Sequence, residues 1–334
     1  MIACCRLPAV VMALACGITP SMRVGLAAPV PAGNRIQAEI VGTLTAPEPQ
    51  PMHMPTDVAI GPTGQVYVAD GVNHRVVRFA PGGQVDGVIT EAGGQQLNTP
   101  VGLTVDTAGR LWIADTRNHR LIILSREGQP AEVIDLPKPE EGRPFDPTDL
   151  AVTDDGQRTY IVDNDNHRFV IRDNDSGALT PMGRFGEGLG QFRWPFAVAI
   201  GPEGYVYISE AIGARVQRVS AADRWAGQVG RWGVELGQLY RPKGVAVDPA
   251  GRLYVSDSTM GVIQVFGPRG GIEGVLTDAQ GEILRLRHPM GMTFDTAGQL
   301  YVVELRADRV TRIALPAGYV PTTRPANAGE EGGR

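Results

Sequence analysis

Three histidines recur at matching places in the first half of the chain, and neutral imidazole is the commonest side-chain ligand of metal ions. Each is the centre of an Asn-His-Arg triplet, at His74, His119 and His167. A shared metal or anion site is the functional hypothesis, but zinc needs its ligand nitrogens about 2 Å away. Because each triplet belongs to a different copy of the repeat described below, we favour a structural role. In the alternative, binding role, the three histidines would contact a ligand on one common face of the protein.

Two aspartates form a second candidate site. Asp57 and Asp149 each stand two residues after a proline that opens a short apolar segment. If both face a common channel, their carboxylates could bind a cation such as calcium together with water molecules. We favour solvated carboxylates, so no cofactor is predicted, and calcium or zinc is the weaker alternative.

Arginine and aromatic side chains cluster in two segments in the middle of the chain. Guanidinium groups pair with anions and aromatic faces stack, so such clusters suit sugars, acidic polymers or extended peptides. The predicted ligand-binding residues are Arg184, Arg193, Trp194, Arg231, Trp232, Arg241 and Lys243. For Trp194 and Trp232, packing between structural units is an equal alternative, and packing is the favoured role of Phe185 and Tyr240.

The common signatures of catalysis are absent from the sequence. It contains no Gly-x-Ser-x-Gly nucleophile motif and no His-Glu-x-x-His zinc motif. Its three cysteines, Cys4, Cys5 and Cys16, all lie in the first sixteen residues. A net charge of −5 gives no general reason to expect nucleic acid as a partner. The residues alone therefore favour a binding protein over an enzyme.

An internal repeat positions these residues, since one unit recurs six times at intervals of 45 to 48 residues. The copies begin at Pro55, Pro100, Pro147, Pro195, Pro242 and Pro289. Each copy contains an apolar strand, a glycine-containing turn and a second strand that ends on an acid, such as Asp70. An arginine follows that acid by five residues in five copies, and Val262 replaces it in the fifth copy. We expect each acid and arginine to form a buried ion pair.

The strand pattern predicts the fold. Apolar residues run almost continuously from Val66 to Ala69, so both faces of the strand must be covered. Four-stranded sheets stacked around an axis provide that cover, and closing the ring protects the edges. We therefore predict an all-β fold, a six-bladed β-propeller with four-stranded antiparallel blades. The last copy lacks a fourth strand, and we expect the orphan segment 36–44 to supply it, so that an N-terminal strand closes the last blade.

Residues 66–76 and 111–121 resemble the NHL repeat, and Asn166-His167-Arg168 keeps its triplet. The resemblance implies a propeller, but NHL propellers include extracellular sensor domains, RNA-binding domains and a peptidyl-hydroxyglycine amidating lyase, so it implies no single function. In that lyase, zinc-binding histidines follow the proline of the inner strand. The corresponding residues here are Thr56, Val101, Thr148, Phe196, Lys243 and Met290. None is a zinc ligand, so the resemblance does not extend to that chemistry.

The N-terminus has the layout of a secretory signal. Arg6 precedes an apolar run, and small residues lead to a predicted cleavage after Ala27. We expect a signal peptide over 1–27, a linker over 28–34, the propeller over 35–316 and a disordered tail over 317–334. Lipidation at Cys16 is the alternative to simple export. No later segment reaches the roughly 20 apolar residues that a membrane-spanning helix needs.

The predicted function is a non-catalytic, extracytoplasmic binding or scaffold module, periplasmic or secreted. We expect a monomer that recognises a protein, peptide or glycan on one propeller face. The alternative is a propeller enzyme, such as a metal-dependent lyase or a lactonase, with its site at the channel. RNA binding would require that the predicted signal peptide be wrong.

Overall fold

A computed structural model describes residues 25–137, 143–316, 318 and 319, which form a six-bladed β-propeller. Each blade has four antiparallel strands, and the inner strands contact one another in a closed ring from blade one to blade six. The predicted all-β fold and its six blades are therefore confirmed. Among the residues that the structure describes, no helix is long and apolar enough to cross a bilayer.

Each blade runs from an inner strand at the channel to an outer strand at the rim. The inner strands are Asp57–Ile60, Pro100–Val105, Pro147–Val152, Pro195–Ile200, Pro242–Val247 and Pro289–Phe294. The second strands are Val66–Asp70, Leu111–Asp115, Arg158–Asp163, Val206–Glu210, Leu253–Asp257 and Leu300–Glu304. The third strands are Arg75–Phe79, Arg120–Leu124, Arg168–Asp173, Arg215–Val219, Val262–Phe266 and Arg309–Ala314. The outer strands are Val85–Ile89, Pro130–Asp135, Leu179–Met182, Trp225–Val229, Ile272–Thr277 and Glu39–Leu44.

Small elements complete the fold between and before the blades. Short 3₁₀ turns lie at Ala32–Asn34, Gly71–Asn73 and Thr116–Asn118. Two-residue strands form one antiparallel pair, Glu91–Ala92 with Gln95–Gln96, and one parallel pair, Arg184–Phe185 with Gln191–Phe192. The parallel pair shapes a loop that carries predicted site residues.

The first hairpin of blade two shows why the repeat folds this way. Gly109 has a φ of 80°, which glycine adopts without steric cost, and its N–H donates to the Asp106 carbonyl at 2.8 Å. The following strand, Leu111–Asp115, is buried along its whole length. Its Trp112 donates from Nε1 to the Asp106 carboxylate at 2.8 Å and packs in a cluster shared with Ile161 of blade three. The continuous apolar strand thus lies between two sheets, as predicted.

The N-terminal segment closes the ring. Glu39–Leu44 pairs antiparallel with Arg309–Ala314 and forms the outer strand of the last blade, which confirms the prediction. The preceding residues, Arg35–Gln37, instead pair parallel with Ile272–Thr277 of blade five. The single strand predicted over 36–44 is therefore divided at Ala38 and ties two blades together.

The residues that flank the propeller also make contacts. Val30, in the predicted linker, is buried, and the Ala27 N–H donates to the Val234 carbonyl at 2.8 Å. At the other end, the Arg252 guanidinium lies 4.3 Å from the centroid of the Tyr319 ring. Both contacts lie at blade five or at the loop that enters it.

Several sequence predictions fall outside the described residues. These are residues 1–24 of the predicted signal peptide, Cys16 among them, and positions 317 and 320–334 of the predicted tail.

Candidate binding face and central channel

Two sets of loops form one face of the propeller, which we call the upper face. One set leads into the inner strands, and the other links the second and third strands within a blade. Hydrogen bonds join the sets, since the Thr99 N–H donates to His74 Nδ1 at 3.0 Å and the Trp194 N–H donates to His167 Nδ1 at 3.3 Å. The residues predicted on these loops therefore share one face.

The three predicted histidines are links between blades. Each has a φ of 54°, in the left-handed region at the end of its loop. His74 and His167 accept backbone N–H groups of the next blade, whereas His119 Nδ1 lies 2.6 Å from the Phe145 carbonyl and donates to it. Within the described ranges, no group of three or more His, Cys, Asp or Glu side chains could hold a metal ion. The geometry thus supports the structural role and assembles no metal centre from the histidines.

The acid at the end of each second strand binds the loop that enters its blade. In blade two, Asp115 pairs with Arg120 at 2.7 Å and accepts the Asn98 N–H at 2.7 Å. The equivalent ion pairs are Asp70–Arg75, Asp163–Arg168, Glu210–Arg215 and Glu304–Arg309. In blade five, Val262 leaves Asp257 to accept backbone N–H groups of the entering loop. The acid is fully buried in every pair, so the predicted pairs are confirmed as parts of the scaffold.

The loops entering blades four and five are built alike, and we call them the first aromatic loop (residues 183–194) and the second aromatic loop (residues 230–241). Both contain a glycine at positive φ, Gly186 at 149° and Gly233 at 151°. A Cβ at these positions would lie 2.1 and 1.8 Å from the side-chain oxygen of a glutamine in the same loop. That oxygen accepts backbone N–H groups of its own loop at 3.0–3.2 Å. The close approach of glycine and glutamine therefore fixes the shape of each loop.

Each aromatic loop is also anchored to the third strand of the blade that it enters. Gln217 accepts the Gly190 N–H at 2.8 Å, and Gln264 accepts the Gly237 N–H at 2.7 Å. Arg215 donates to three carbonyls of the first loop at 2.6–3.0 Å. Because both backbones are fixed in this way, the side chains that they display are preorganised for binding.

Three large apolar side chains on the aromatic loops are exposed to solvent. The exposed fraction is 61% for Phe185, 51% for Leu189 and 70% for Trp232. The packing role favoured for Phe185 is wrong, because its ring lies on the surface beside His167, with centroids 5.0 Å apart. The other large exposed apolar side chains of the described ranges lie on outer strands, and they are Ile40, Val41, Val88 and Val133.

Trp194 and Tyr240 stand near the ends of the two loops and are half-buried. Trp194 meets His167 edge-on, with ring centroids 4.6 Å apart. Tyr240 packs against a small buried cluster that contains Met260. The packing role predicted for Tyr240 is confirmed, and Trp194 combines packing with partial exposure.

The loop arginines differ in their pairing. Arg193 Nη1 lies 2.8 Å from Glu187 Oε1 in an exposed ion pair. Arg184, Arg231 and Arg241 form no ion pair with any described carboxylate. Their guanidinium groups are therefore available to an anionic ligand.

Lys243 is the second residue of the inner strand of blade five and is buried. Its Nζ stands 3.8 Å from the centroid of the Phe196 ring, a cation–π distance. Burial, together with the charge of Arg241, lowers the pKa of Lys243 to about 7. In the next blade, burial and the charges of Arg306 and Lys243 lower the pKa of His288.

His288 and Leu189 were not predicted from the sequence. His288 stands directly before the opening proline of blade six, the position that Trp194 and Arg241 hold in blades four and five. Aligning the six repeats would therefore have identified His288 as a candidate site residue. Leu189 gave no such signal, because its counterpart Leu236 is packed against a buried cluster and only the structure separates the two.

Asp57 and Asp149 both line the central channel, a cavity of about 360 Å³. Asp57 accepts the Leu103 N–H at 2.7 Å and Asp149 accepts the Val198 N–H at 2.8 Å, each from the next blade. Burial raises the pKa of Asp57 to about 7, and burial together with the charge of Asp57 raises the pKa of Asp149. Both carboxyls therefore link neighbouring blades, and burial favours their protonated forms.

Three segments of the chain match the NHL repeat, at residues 52–79, 97–124 and 239–266. They lie in blades one, two and five, and the last matches although its Asn-His-Arg triplet is lost. By sequence, no curated protein matches the chain. The chain is therefore a six-bladed β-propeller that contains NHL repeats.

Solved structures with similar folds include both enzymes and a binding protein. Virginiamycin B lyase from Staphylococcus aureus, solved with quinupristin, is 16% identical with a TM-score of 0.58, covering 78% of this chain and 80% of the other. A gluconolactonase from Xanthomonas campestris is 17% identical with a TM-score of 0.59, covering 87% and 99%. An auxiliary nutrient binding protein from Bacteroides thetaiotaomicron is 14% identical with a TM-score of 0.61, covering 84% and 72%. At these identities the likeness is one of fold.

Proposed function

We propose that this NHL-repeat propeller is a non-catalytic, extracytoplasmic binding module that recognises an acidic polypeptide segment on its upper face. The observation that carries the proposal is the exposure of Phe185, Leu189 and Trp232 on two fixed loops. The adjacent guanidinium groups of Arg184 and Arg231 form no ion pair with a described carboxylate. Aromatic and arginine side chains dominate the energetic centres of protein interfaces. Exposed apolar patches with a polar rim are typical of protein-binding surfaces.

The chemistry of the loops favours a polypeptide over a glycan. Phe185 and Leu189 lie four residues apart in one loop and offer apolar surface that suits aliphatic and aromatic side chains. Arg184, Arg231 and Arg241 add positive charge for carboxylates of the same ligand. An extended acidic peptide with apolar side chains satisfies both features.

Binding of synthetic peptides tests the proposal. We would immobilise the full chain and measure its affinity for acidic, neutral and basic peptides of equal length that contain the same apolar residues. The acidic peptides should bind most tightly, and the double variant F185A/W232A should lose tenfold or more in affinity, which is about 1.4 kcal/mol. The matched control V88A/V133A removes exposed apolar side chains from outer strands and should bind as the parent does.

Two results would contradict the proposal. Equal affinity of the parent and F185A/W232A would show that the aromatic loops are not the site. Binding to acidic oligosaccharides in a parallel glycan array, with no binding to any peptide, would show that the ligand is a glycan.

The extracytoplasmic location rests on the layout of residues 1–27. Fusion of residues 1–34 to a phosphatase that is active only outside the cytoplasm would measure export directly. Activity of the fusion supports the proposal. An inactive fusion that is retained in the cytoplasm contradicts it and returns RNA binding to consideration.

A second candidate function is an enzyme that acts at the channel. It is favoured by Asp57 and Asp149, two carboxyls beside a cavity of about 360 Å³: burial raises the pKa of both, that of Asp57 to about 7. A carboxyl whose pKa is close to the working pH suits general acid–base catalysis. Elemental analysis of residues 28–334, purified without chelators or metal-affinity resin, separates the alternatives. One zinc or calcium per chain supports a metal-dependent lyase or lactonase, and a folded, metal-free protein contradicts it.

A further inference from the structure

Two neighbouring blades contribute four basic groups where their inner strands begin, next to the upper face. Arg241 and Lys243 come from blade five, and His288 and Arg306 come from blade six. Hydrogen bonds hold these segments together: the Leu305 N–H donates to the His288 carbonyl at 3.1 Å, and Ser256 of blade five donates to the Met290 carbonyl of blade six at 2.8 Å. The charges are close enough that Arg241 lowers the pKa of Lys243, and Arg306 and Lys243 lower the pKa of His288. The ring of Phe196, from blade four, lies against Lys243. We call these four basic groups the basic mouth.

Two carboxylates bind the backbone beside the basic mouth, since Asp257 accepts the Arg241 N–H at 3.0 Å and Glu304 accepts the Arg287 N–H at 2.6 Å. Within the described part of the chain, none of the four basic side chains forms an ion pair with Asp or Glu. Lys243 is only 5% exposed, and burial of an unpaired cation is costly. By contrast, the buried arginines Arg75 and Arg120 are each paired with a carboxylate at 2.7 Å. Lys243 therefore lacks a partner that this chain supplies to comparable cations.

The basic mouth is open to a ligand from the upper face. Lys243 keeps 5% of its surface exposed, and no described residue accepts a hydrogen bond from its Nζ, which contacts the Phe196 ring instead. Arg306 is exposed, and Arg241 and His288 are half-buried. An anion can therefore approach Lys243 past the other three groups.

The choice of lysine at this position is itself informative. The chain has 29 arginines but two lysines, Lys138 and Lys243. A lysine can lose its proton in a buried site, whereas an arginine keeps its charge. Lys243 can therefore be neutral in the free protein and charged beside an anion, an exchange that arginine does not allow.

We propose that the basic mouth is an anion subsite that takes one carboxylate or phosphate group. The anion would accept hydrogen bonds from Lys243 and Arg241 of blade five and from His288 and Arg306 of blade six. The proposal deepens the proposed function and rests on it for the ligand, because Arg241 ends the second aromatic loop and an acidic ligand on that face reaches the mouth. The subsite itself can be tested with small anions.

Anion binding in the basic mouth is coupled to proton uptake. Lys243 faces Arg241 from its own blade, Phe196 from blade four and His288 from blade six. The acids that end the second strands of blades five and six, Asp257 and Glu304, accept backbone N–H groups and Arg309 instead. Because protonated Lys243 and His288 hold an anion more tightly than their neutral forms, affinity should increase as the pH falls through 7.

Nuclear magnetic resonance of the two lysines measures this coupling. The full chain, labelled with ¹³C at the lysine ε carbon, gives one signal for each lysine, and the K138R variant assigns them. We expect inorganic phosphate or glutarate to raise the pKa of Lys243 by about one unit, a tenfold preference for the charged amine. The anion that gives the larger shift identifies the chemical source. An unchanged pKa with both probes would overturn the proposal.

Variants separate this subsite from the rest of the face. R306Q alters an exposed side chain and should weaken phosphate or glutarate binding several-fold, whereas R269Q, on an exposed hairpin turn, should not. Equal weakening by both variants would overturn the subsite. F185A/W232A should leave small-anion binding intact. Loss of peptide binding without loss of anion binding therefore separates failure of the proposed function from failure of the subsite.

Discussion

The carboxylate of Asp308 in blade six accepts a 2.7 Å hydrogen bond from the backbone N–H of Met54, at the entrance to blade one. The same step of the repeat places His74 in blade one and His167 in blade three, and each accepts an N–H of the following blade. Where blade six meets blade one, at the seam of the ring, the hydrogen bond between neighbouring blades is therefore retained, but its acceptor is an aspartate and not a histidine. Closure at this seam also depends on the N-terminal strand, which leads to the first prediction.

Replacing Leu44 should destabilise the propeller much more than replacing Ile40 in the same closing strand. Leu44 is buried between blades and Ile40 is exposed. L44A should lower the free energy of unfolding by about 2–5 kcal/mol, because it leaves a cavity at the seam. I40A should change it by less than about 1 kcal/mol. Urea unfolding of the two variants checks this, and equal effects would show that the strand does not close the ring.

Two ion pairs of equal length should differ in their contribution to stability. Asp115–Arg120 and Asp86–Arg78 both have an N–O distance of 2.7 Å, but the first pair is buried and the second is exposed. D115N leaves Arg120 buried without its partner and should cost about 3–5 kcal/mol. D86N should cost less than about 1 kcal/mol. Similar losses in thermal unfolding would contradict the assigned role of the buried pairs.

A methyl group at Gly291 should be destabilising because of Asp57. The added Cβ would lie 1.9 Å from Asp57 Oδ1 and 2.9 Å from its Cα. G291A should cost about 1–3 kcal/mol in the parent and less in a D57A background, where the carboxyl is gone. G271A is the matched control, since its Cβ would meet no atom within 4 Å. If G291A lowers the free energy of unfolding equally in the parent and in the D57A background, the clash is not with the Asp57 carboxyl.

The channel carboxyls should make stability fall as the pH rises from about 4 to 7. Folding raises the pKa of Asp57 from 3.8 to about 7, so in this window the folded state holds a proton that the unfolded state has released. The loss is up to about 1.4 kcal/mol per pH unit for one carboxyl. D57N removes this titration and should show a smaller fall in urea unfolding at a series of pH values. D175N, an exposed control, should follow the parent, and a D57N profile equal to the parent would refute the shift.

Positive charge on the aromatic loops should control binding of the acidic peptide without affecting folding. The triple variant R193Q/R231Q/R241Q should abolish binding measured at low salt and keep the parent melting temperature. Added salt should weaken binding by the parent, because charged contacts near the surface are screened. A control triple variant replaces three exposed arginines elsewhere, Arg126, Arg224 and Arg269. If that control loses binding equally, net charge rather than the loops is responsible.

The sequence by itself determined the parts of this protein that lie within one repeat. Strands, glycine turns and the acid–arginine pairs join residues a few positions apart, so a single copy such as the one around Asp115 and Arg120 contains the whole pattern. The regular spacing of the copies then implied six blades. The closing strand followed from counting strands in the last copy, although its division at Ala38 did not.

Only the tertiary structure decided which residues meet between blades and which reach solvent. Lys243 contacts Phe196 and influences His288, residues 45 to 47 positions away in the chain, and these groups come together only when the blades stack. Leu189 is exposed while its counterpart Leu236 is packed, although the two loops share one pattern. The physical reason is that burial and charge at these positions depend on neighbouring blades, whose side chains vary from copy to copy while the repeat does not.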